Sequence, residues 1–156
     1  MYGGASVGLM GAVADAVLSE GGEVIGVIPQ SLVDREVAHK GLKDLRITSS
    51  LHERKALMAE LSDGFIALPG GIGTLEEMFE IWTWAQLGHH NKPCGLLNVA
   101  GFYDGLSGFL DTVCKEGFLK EVHRKMLLSE SDPANLLAAM RTYVPPPAGG
   151  KWIART

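Results

Sequence analysis

The segment Pro69-Gly70-Gly71-Ile72-Gly73-Thr74-Leu75-Glu76-Glu77 joins backbone freedom to a carboxylate within one short stretch. Its glycines let the main chain approach a ligand closely. The apolar run 65–68 reads as a strand entering it, and 75–87 reads as a helix leaving it. A helix start offers unsatisfied N–H groups to an anion. Thr74 is the expected N-cap and Glu77 falls at N3, so 74–77 satisfies the capping-box pattern. That role alone is worth about 1 kcal/mol of helix stability and involves no chemistry. It does not account for the proline and the three glycines. The segment lacks a Gly-Lys-Ser/Thr ending, so it is not a nucleoside-triphosphate P-loop. Glu76 and Glu77 point roughly 100° apart around a helix, so they do not flank one sugar as a carboxylate pair. One acts while the other is solvated or paired.

A second glycine-rich stretch, Gly3-Gly4-Ala5-Ser6-Val7-Gly8-Leu9-Met10-Gly11, lies between the strand-like start of the chain and a helical pattern over 7–18. Gly4, Gly8 and Gly11 are candidate phosphate-loop positions. It is not a clean dinucleotide fingerprint, and tight packing of helix on strand is the competing explanation. Arg54 and Lys55 lie on a helix predicted over 50–61. Leu51, Leu57, Met58 and Leu61 are expected to form its buried face, which leaves Arg54 to project elsewhere. A guanidinium suits a phosphate or a purine edge, although a solvated basic face is the ordinary role for such a pair. Trp82 and Trp84 face different directions on their helix, with at least one in the core or at a subunit surface. His39, His52, His89, His90 and His123 show no metal-ligand spacing and read as surface or structural residues. Cys94 and Cys114 fit no metal or redox spacing and read as reduced, buried thiols.

These residues need a scaffold that puts glycine loops at strand ends. Apolar runs at 24–29, 65–68 and 94–99 read as strands, with weaker candidates at 45–48 and 125–129. Helical patterns fall at 7–18, 50–61, 75–87, 103–116 and from an Asp132 N-cap with Pro133 at N1 to about 143. Ser50 and Glu53 have capping-box spacing, and 31–41 reads as a polar loop. This alternation predicts the α/β class: a Rossmann-like parallel sheet with helices on both faces, its ligand at the strand carboxyl ends. Both glycine clusters are therefore expected to face one crevice. The expected organisation is one catalytic domain over 1–144 and an extended tail over 145–156. The first glycine loop comes almost without a strand before it, so a first β–α unit is expected to be missing.

The 156 residues suit one domain, with 46% hydrophobic and 21% charged residues. A net charge of −4 argues against nucleic acid or an anionic membrane as partner. Bound phosphate must then be held by local groups. No signal peptide or membrane-length apolar run is visible, which points to a cytoplasmic protein.

The pattern Pro-Gly-Gly-x-Gly-Thr-x-x-Glu at 69–77, preceded by Gly-Gly-x-x-x-Gly-Leu-Met-Gly at 3–11, resembles the LOG ("lonely guy") family of cytokinin riboside 5'-monophosphate phosphoribohydrolases. The similarity extends through 14–16, 24–29, His52-Glu53-Arg54-Lys55 and Trp82-Thr83-Trp84-Ala85-Gln86-Leu87-Gly88. Such proteins have also carried the label "possible lysine decarboxylase". The resemblance implies a Rossmann-like homodimer. It implies an AMP-nucleosidase type of activity on AMP and N6-substituted AMPs, with no organic cofactor and no metal. It assigns catalysis to Glu77 and Arg54. It assigns substrate contacts to Glu36, Arg54, Lys55, Gly71, Ile72, Gly73, Thr74, Leu75, Glu76, Glu77 and Thr83. Ala5 stands where the family commonly has a third glycine. Family members also begin with a further strand, a Gly-Ser-type loop and a helix, so part of the pocket wall is expected to be absent. A non-hydrolytic nucleotide or cofactor carrier is the competing reading. A carrier, however, needs neither Glu77 nor Arg54. A decarboxylase would need a pyridoxal-phosphate lysine, for which Lys55 alone is a poor candidate.

Overall fold

The computed structural model describes residues 1–35 and 37–147. The chain divides into two compact units at Ser62/Asp63. Parallel strands form one small sheet in each unit, with helices packed against them. The α/β class and parallel pairing expected from the alternation are thus observed.

In the first unit, helix α1 (Gly8–Ser19) precedes strand β1 (Ile25–Pro29), helix α2 (Gln30–Val33), strand β2 (Asp44–Thr48) and helix α3 (Leu51–Leu61). Strands β1 and β2 pair in parallel, Val27 opposite Arg46. Tyr2 bridges to Gly26 on the other edge of β1. Its N–H donates to the Ile25 carbonyl and its own carbonyl accepts from Val27 N–H, each at 3.0 Å. The strand-like start of the chain is therefore real, though reduced to one bridge. Residues 31–41 are not wholly loop, because α2 occupies their start. Val27 and Ile28 are fully buried. On α1 the expected apolar stripe is largely outside the core. Gly11 and Ala14 are buried, whereas Met10, Val13 and Val17 are exposed. Small residues allow close approach, and the larger ones flank the contact.

In the second unit, strand β3 (Phe65–Ala67) leads to helix α4 (Ile72–Leu87). Strand β4 (Cys94–Leu97), a 3-10 turn at Val99–Gly101, helix α5 (Asp104–Lys115), helix α6 (Glu121–Arg124), strand β5 (Leu127–Glu130) and helix α7 (Pro133–Arg141) follow. The sheet order is β3-β4-β5, all parallel. All four β4 residues are buried, matching the continuous apolar run. Asp132 caps α7 by accepting from Asn135 N–H at 3.0 Å, with Pro133 in the first turn as expected. Helix α6 had no sequence signal, being a single turn. The expected tail has no helix or strand over 145–147, and 148–156 lie outside the described residues.

Cys94 is buried, and burial pushes its thiol up to about 12. Cys114 is only half-buried, so the expectation of two buried thiols is met by one.

Candidate functional site

The second glycine turn sits where β3 ends. Helix α4 begins earlier than its residue types suggest: Gly71 is the N-cap, and Ile72, Gly73 and Thr74 form the first turn. Thr74 is therefore not the cap, and Glu77 lies one turn deeper than N3. The capping-box role expected for Glu77 is overturned. Gly71 takes the extended backbone of a cap position, and the threonine folds into the helix. Thr74 packs against Gly70, where a Cβ would overlap its hydroxyl. No side chain caps this helix, and its first turn carries no acidic residue. A Cβ on Gly71 or Gly73 would meet nothing within 4 Å, and Ile72 is 85% exposed. The start of α4 is thus an open group of N–H donors carrying the positive end of the helix dipole.

Further along α4, Glu77 is half-buried, and Leu75 and Thr74 are similarly placed. Glu76 and Thr83 are both exposed and seven residues apart, which puts them on one face. Glu77 is turned away from that face. The expected divergence of the two carboxylates is observed. The Thr83 hydroxyl donates to the Phe79 carbonyl at 2.7 Å, a bond within its own helix. Trp82 is the core member of the tryptophan pair, its indole N–H donating to the His123 carbonyl at 3.1 Å.

The base of the second turn is held by a residue that carried no functional signal in the sequence. Tyr103 is 1% exposed, and its hydroxyl donates to the Leu68 carbonyl at 2.6 Å. Burial raises its pKa. The Tyr103 N–H donates to Asn98 Oδ1 at 2.6 Å, and Asn98 Nδ2 donates to Asp104 Oδ1 at 2.7 Å. Only a search for paired polar residues around a strand end would have suggested this network.

In the first unit, Arg54 and Lys55 are buried at 6% and 5% exposure, whereas Leu51 is 55% exposed and Leu61 lies at the surface. The expected buried face of α3 is therefore wrong in part. The helix turns its two cations inward, which costs desolvation unless each is paired. Neither is without a partner. Arg54 Nε donates to the Val27 carbonyl at 2.9 Å, which fixes the guanidinium against β1. A Cβ on Gly3 would overlap that guanidinium. The Ser50 cap is confirmed, its hydroxyl accepting from Glu53 N–H at 3.1 Å. The Glu53 carboxylate reaches back to Ser49 rather than Ser50, bonding its N–H at 2.8 Å and its hydroxyl at 2.6 Å. Those bonds hold the carboxyl below its usual pKa range.

The first glycine loop is strapped by residues 37–39. Ser6 N–H donates to the Val37 carbonyl, and His39 N–H to the Gly4 carbonyl, both at 2.9 Å. His39 is buried. Its Nδ1 accepts from Gly41 N–H at 3.1 Å, which assigns the proton to Nε2 for donation to Asp15 at 3.0 Å. The structural role expected for His39 is met. Packing explains two of the three candidate phosphate-loop glycines. Gly4 has φ +74° and sits 3.0 Å, at its would-be Cβ, from Ile28 Cβ, and a Cβ on Gly11 would overlap the Ser6 carbonyl. Gly8, with φ +58°, opens onto free space. Glu36 lies outside the described residues. Among the described residues no cluster of three His, Cys, Asp or Glu side chains is arranged to hold a metal. No helix among them is long and apolar enough to cross a membrane.

Fold and loops together define an α/β protein with parallel sheets and a glycine turn that opens onto an uncapped helix start. The family model described as "Possible lysine decarboxylase" matches residues 10–140. The cytokinin riboside 5'-monophosphate phosphoribohydrolase LOG of Oryza sativa subsp. japonica is 52% identical over 145 residues, 93% of this chain and 60% of that protein. A cytokinin riboside 5'-monophosphate phosphoribohydrolase of Arabidopsis thaliana is 48% identical over 145 residues, 93% of this chain and 68% of that protein. The chain belongs to this LOG family, the resemblance drawn from residues 3–11 and 69–77. It spans 60% of the length of the rice relative.

Proposed function

We propose that this protein hydrolyses the N-glycosidic bond of nucleoside 5'-monophosphates, those of N6-substituted adenines and AMP itself, as a phosphoribohydrolase. One observation carries the reading: the 69–77 turn is intact, with an open and acid-free helix start, in a chain about half identical to relatives named as cytokinin riboside 5'-monophosphate phosphoribohydrolases. The 5'-phosphate accepts from the N–H groups of Ile72, Gly73 and Thr74. Glu77 stabilises positive charge developing on the sugar and orients the attacking water. Arg54, held by Val27, positions the nucleotide and stabilises the departing base. In the reaction the bond from C1' to the base nitrogen breaks. Water gives its hydroxyl to C1' and its proton to the base, so ribose 5-phosphate and free base leave. Lys55, Glu36, Leu75, Glu76 and Thr83 complete the proposed substrate contacts. A homodimer in the cytoplasm is the proposed working form.

Incubation with AMP and isopentenyl-AMP, with the free base followed by chromatography, tests the reading. Release of base and ribose 5-phosphate is expected, and Glu77→Ala should lower turnover roughly a hundredfold or more. Binding without base release would instead mark a carrier. Near-normal turnover in Glu77→Ala or Arg54→Ala would remove that residue from the mechanism.

A further inference from the structure

Within the second glycine turn Thr74 packs on Gly70, but nothing comparable braces the positions between them. Gly71 and Gly73 have open space around them, and no side chain caps the helix that follows. Backbone this permissive loses more conformational entropy on ordering than any other. Something outside the segment has to fix where β3 stops and the turn begins.

The Leu68 carbonyl is the last acceptor before Pro69, and a buried tyrosine hydroxyl holds it at 2.6 Å. The tyrosine is itself over-determined. Asn98 N–H donates to the Glu130 carbonyl at 2.8 Å, tying the residue to the end of β5. Asn98 Oδ1 then accepts from Tyr103 N–H, and its amide holds Asp104. Between them the chain turns through two left-handed residues, Ala100 at φ +51° and Gly101 at φ +74°. A non-glycine residue in that region is costly, and it persists only where the surroundings impose it. The T-shaped contact of the Phe102 ring, centroids 4.9 Å apart, closes the tyrosine in. The whole turn thus presents one hydroxyl to one carbonyl.

We propose that Tyr103 is a positioning residue for phosphate recognition: its hydroxyl, aimed by Asn98, sets the backbone of the turn so that the α4 N–H groups converge on the 5'-phosphate. The inference rests on the phosphate assignment proposed above. It requires loss of the hydroxyl to weaken binding of the phosphate and leave recognition of the base and sugar alone.

The test compares wild type, Tyr103→Phe and Leu136→Val. Leu136 is a buried α7 residue packed on Gly95, so its truncation lowers stability within the same unit without touching the turn. Dissociation constants for inorganic phosphate, AMP and adenosine are measured by calorimetry, alongside thermal midpoints. In Tyr103→Phe, phosphate and AMP should bind roughly tenfold more weakly while adenosine is unchanged. Leu136→Val should leave all three constants at wild-type values. Equal losses for AMP and adenosine, unchanged phosphate binding in Tyr103→Phe, or an equal loss in Leu136→Val would overturn the proposal. So would a wild type that binds no phosphate. None of these readouts needs turnover. A wild type that binds AMP with the expected variant pattern but releases no base would defeat the hydrolase reading and leave the role of Tyr103 standing.

Discussion

The two glycine-rich loops look alike as sequence and differ as objects. In the first, Gly3, Gly4 and Gly11 each sit where a side chain would strike Arg54, Ile28 or the Ser6 carbonyl. In the second, Gly71 and Gly73 have nothing near them. The first loop spends these three glycines on close packing beneath a strap formed by 37–39 and leaves Gly8 open, whereas the second packs Gly70 on Thr74 and leaves an open helix start. Glycine in a strand-to-helix turn therefore carries two meanings, separable only by what a Cβ would meet. Where it meets protein, the glycine is explained by the fold. Where it meets nothing, the missing side chain leaves room for something else.

The sharpest way to break this contrast is alanine substitution in both loops. Gly11→Ala should cost about 3 kcal/mol in chemical denaturation, because the added carbon overlaps backbone that cannot rotate away. A cost under about 1 kcal/mol would mean the first loop is not packed as described. Gly73→Ala should behave in the opposite way. Alanine suits a helix better than glycine, so stability should hold or rise by up to about 0.5 kcal/mol. Affinity for AMP should nevertheless fall roughly tenfold as the methyl enters the open space. Loss of stability together with affinity would erase the distinction between the loops.

A smaller effect tests how the far end of α4 is held. His90 donates from Nε2 to the Ile81 carbonyl at 3.0 Å, and its Nδ1 accepts from Lys92 N–H at 3.1 Å, which requires a neutral ring. Burial holds its pKa below the usual value, the Ile81 bond opposing in part. The unfolded chain then binds the extra proton. The contribution is fully present above about pH 6.5 and is lost as pH falls through the lower folded value. Thermal midpoints followed from about pH 8 to 5 should fall less steeply in His90→Phe than in wild type. Parallel curves would show that His90 does not titrate with unfolding.

Much of this was legible in the residues. The α/β alternation, the Ser50 and Asp132 caps, the buried run of β4 and the placement of 69–77 at a strand end all follow from local signals. The failures have physical causes. Thr74 and Glu77 fit the capping box by residue type, yet a glycine one turn earlier makes an equally good cap and the helix takes the longer form. Leu51 and Leu61 were expected inside, but α3 turns Arg54 and Lys55 inward, and the Val27 carbonyl that holds Arg54 lies far away in the chain. The Asn98–Tyr103 network was invisible for the same reason: its target, the Leu68 carbonyl, is a main-chain atom with no sequence signature. Single-turn elements such as α2 and α6 are too short for periodicity to register.

The left-handed Ala100 has a consequence for anyone who would engineer this chain. It is a site where the native residue is at odds with its own backbone, and glycine or asparagine at that position is free of the conflict. A selection for heat resistance alone would be drawn to residue 100, and it would reinforce the underpinning of the second loop without altering any group that meets the nucleotide.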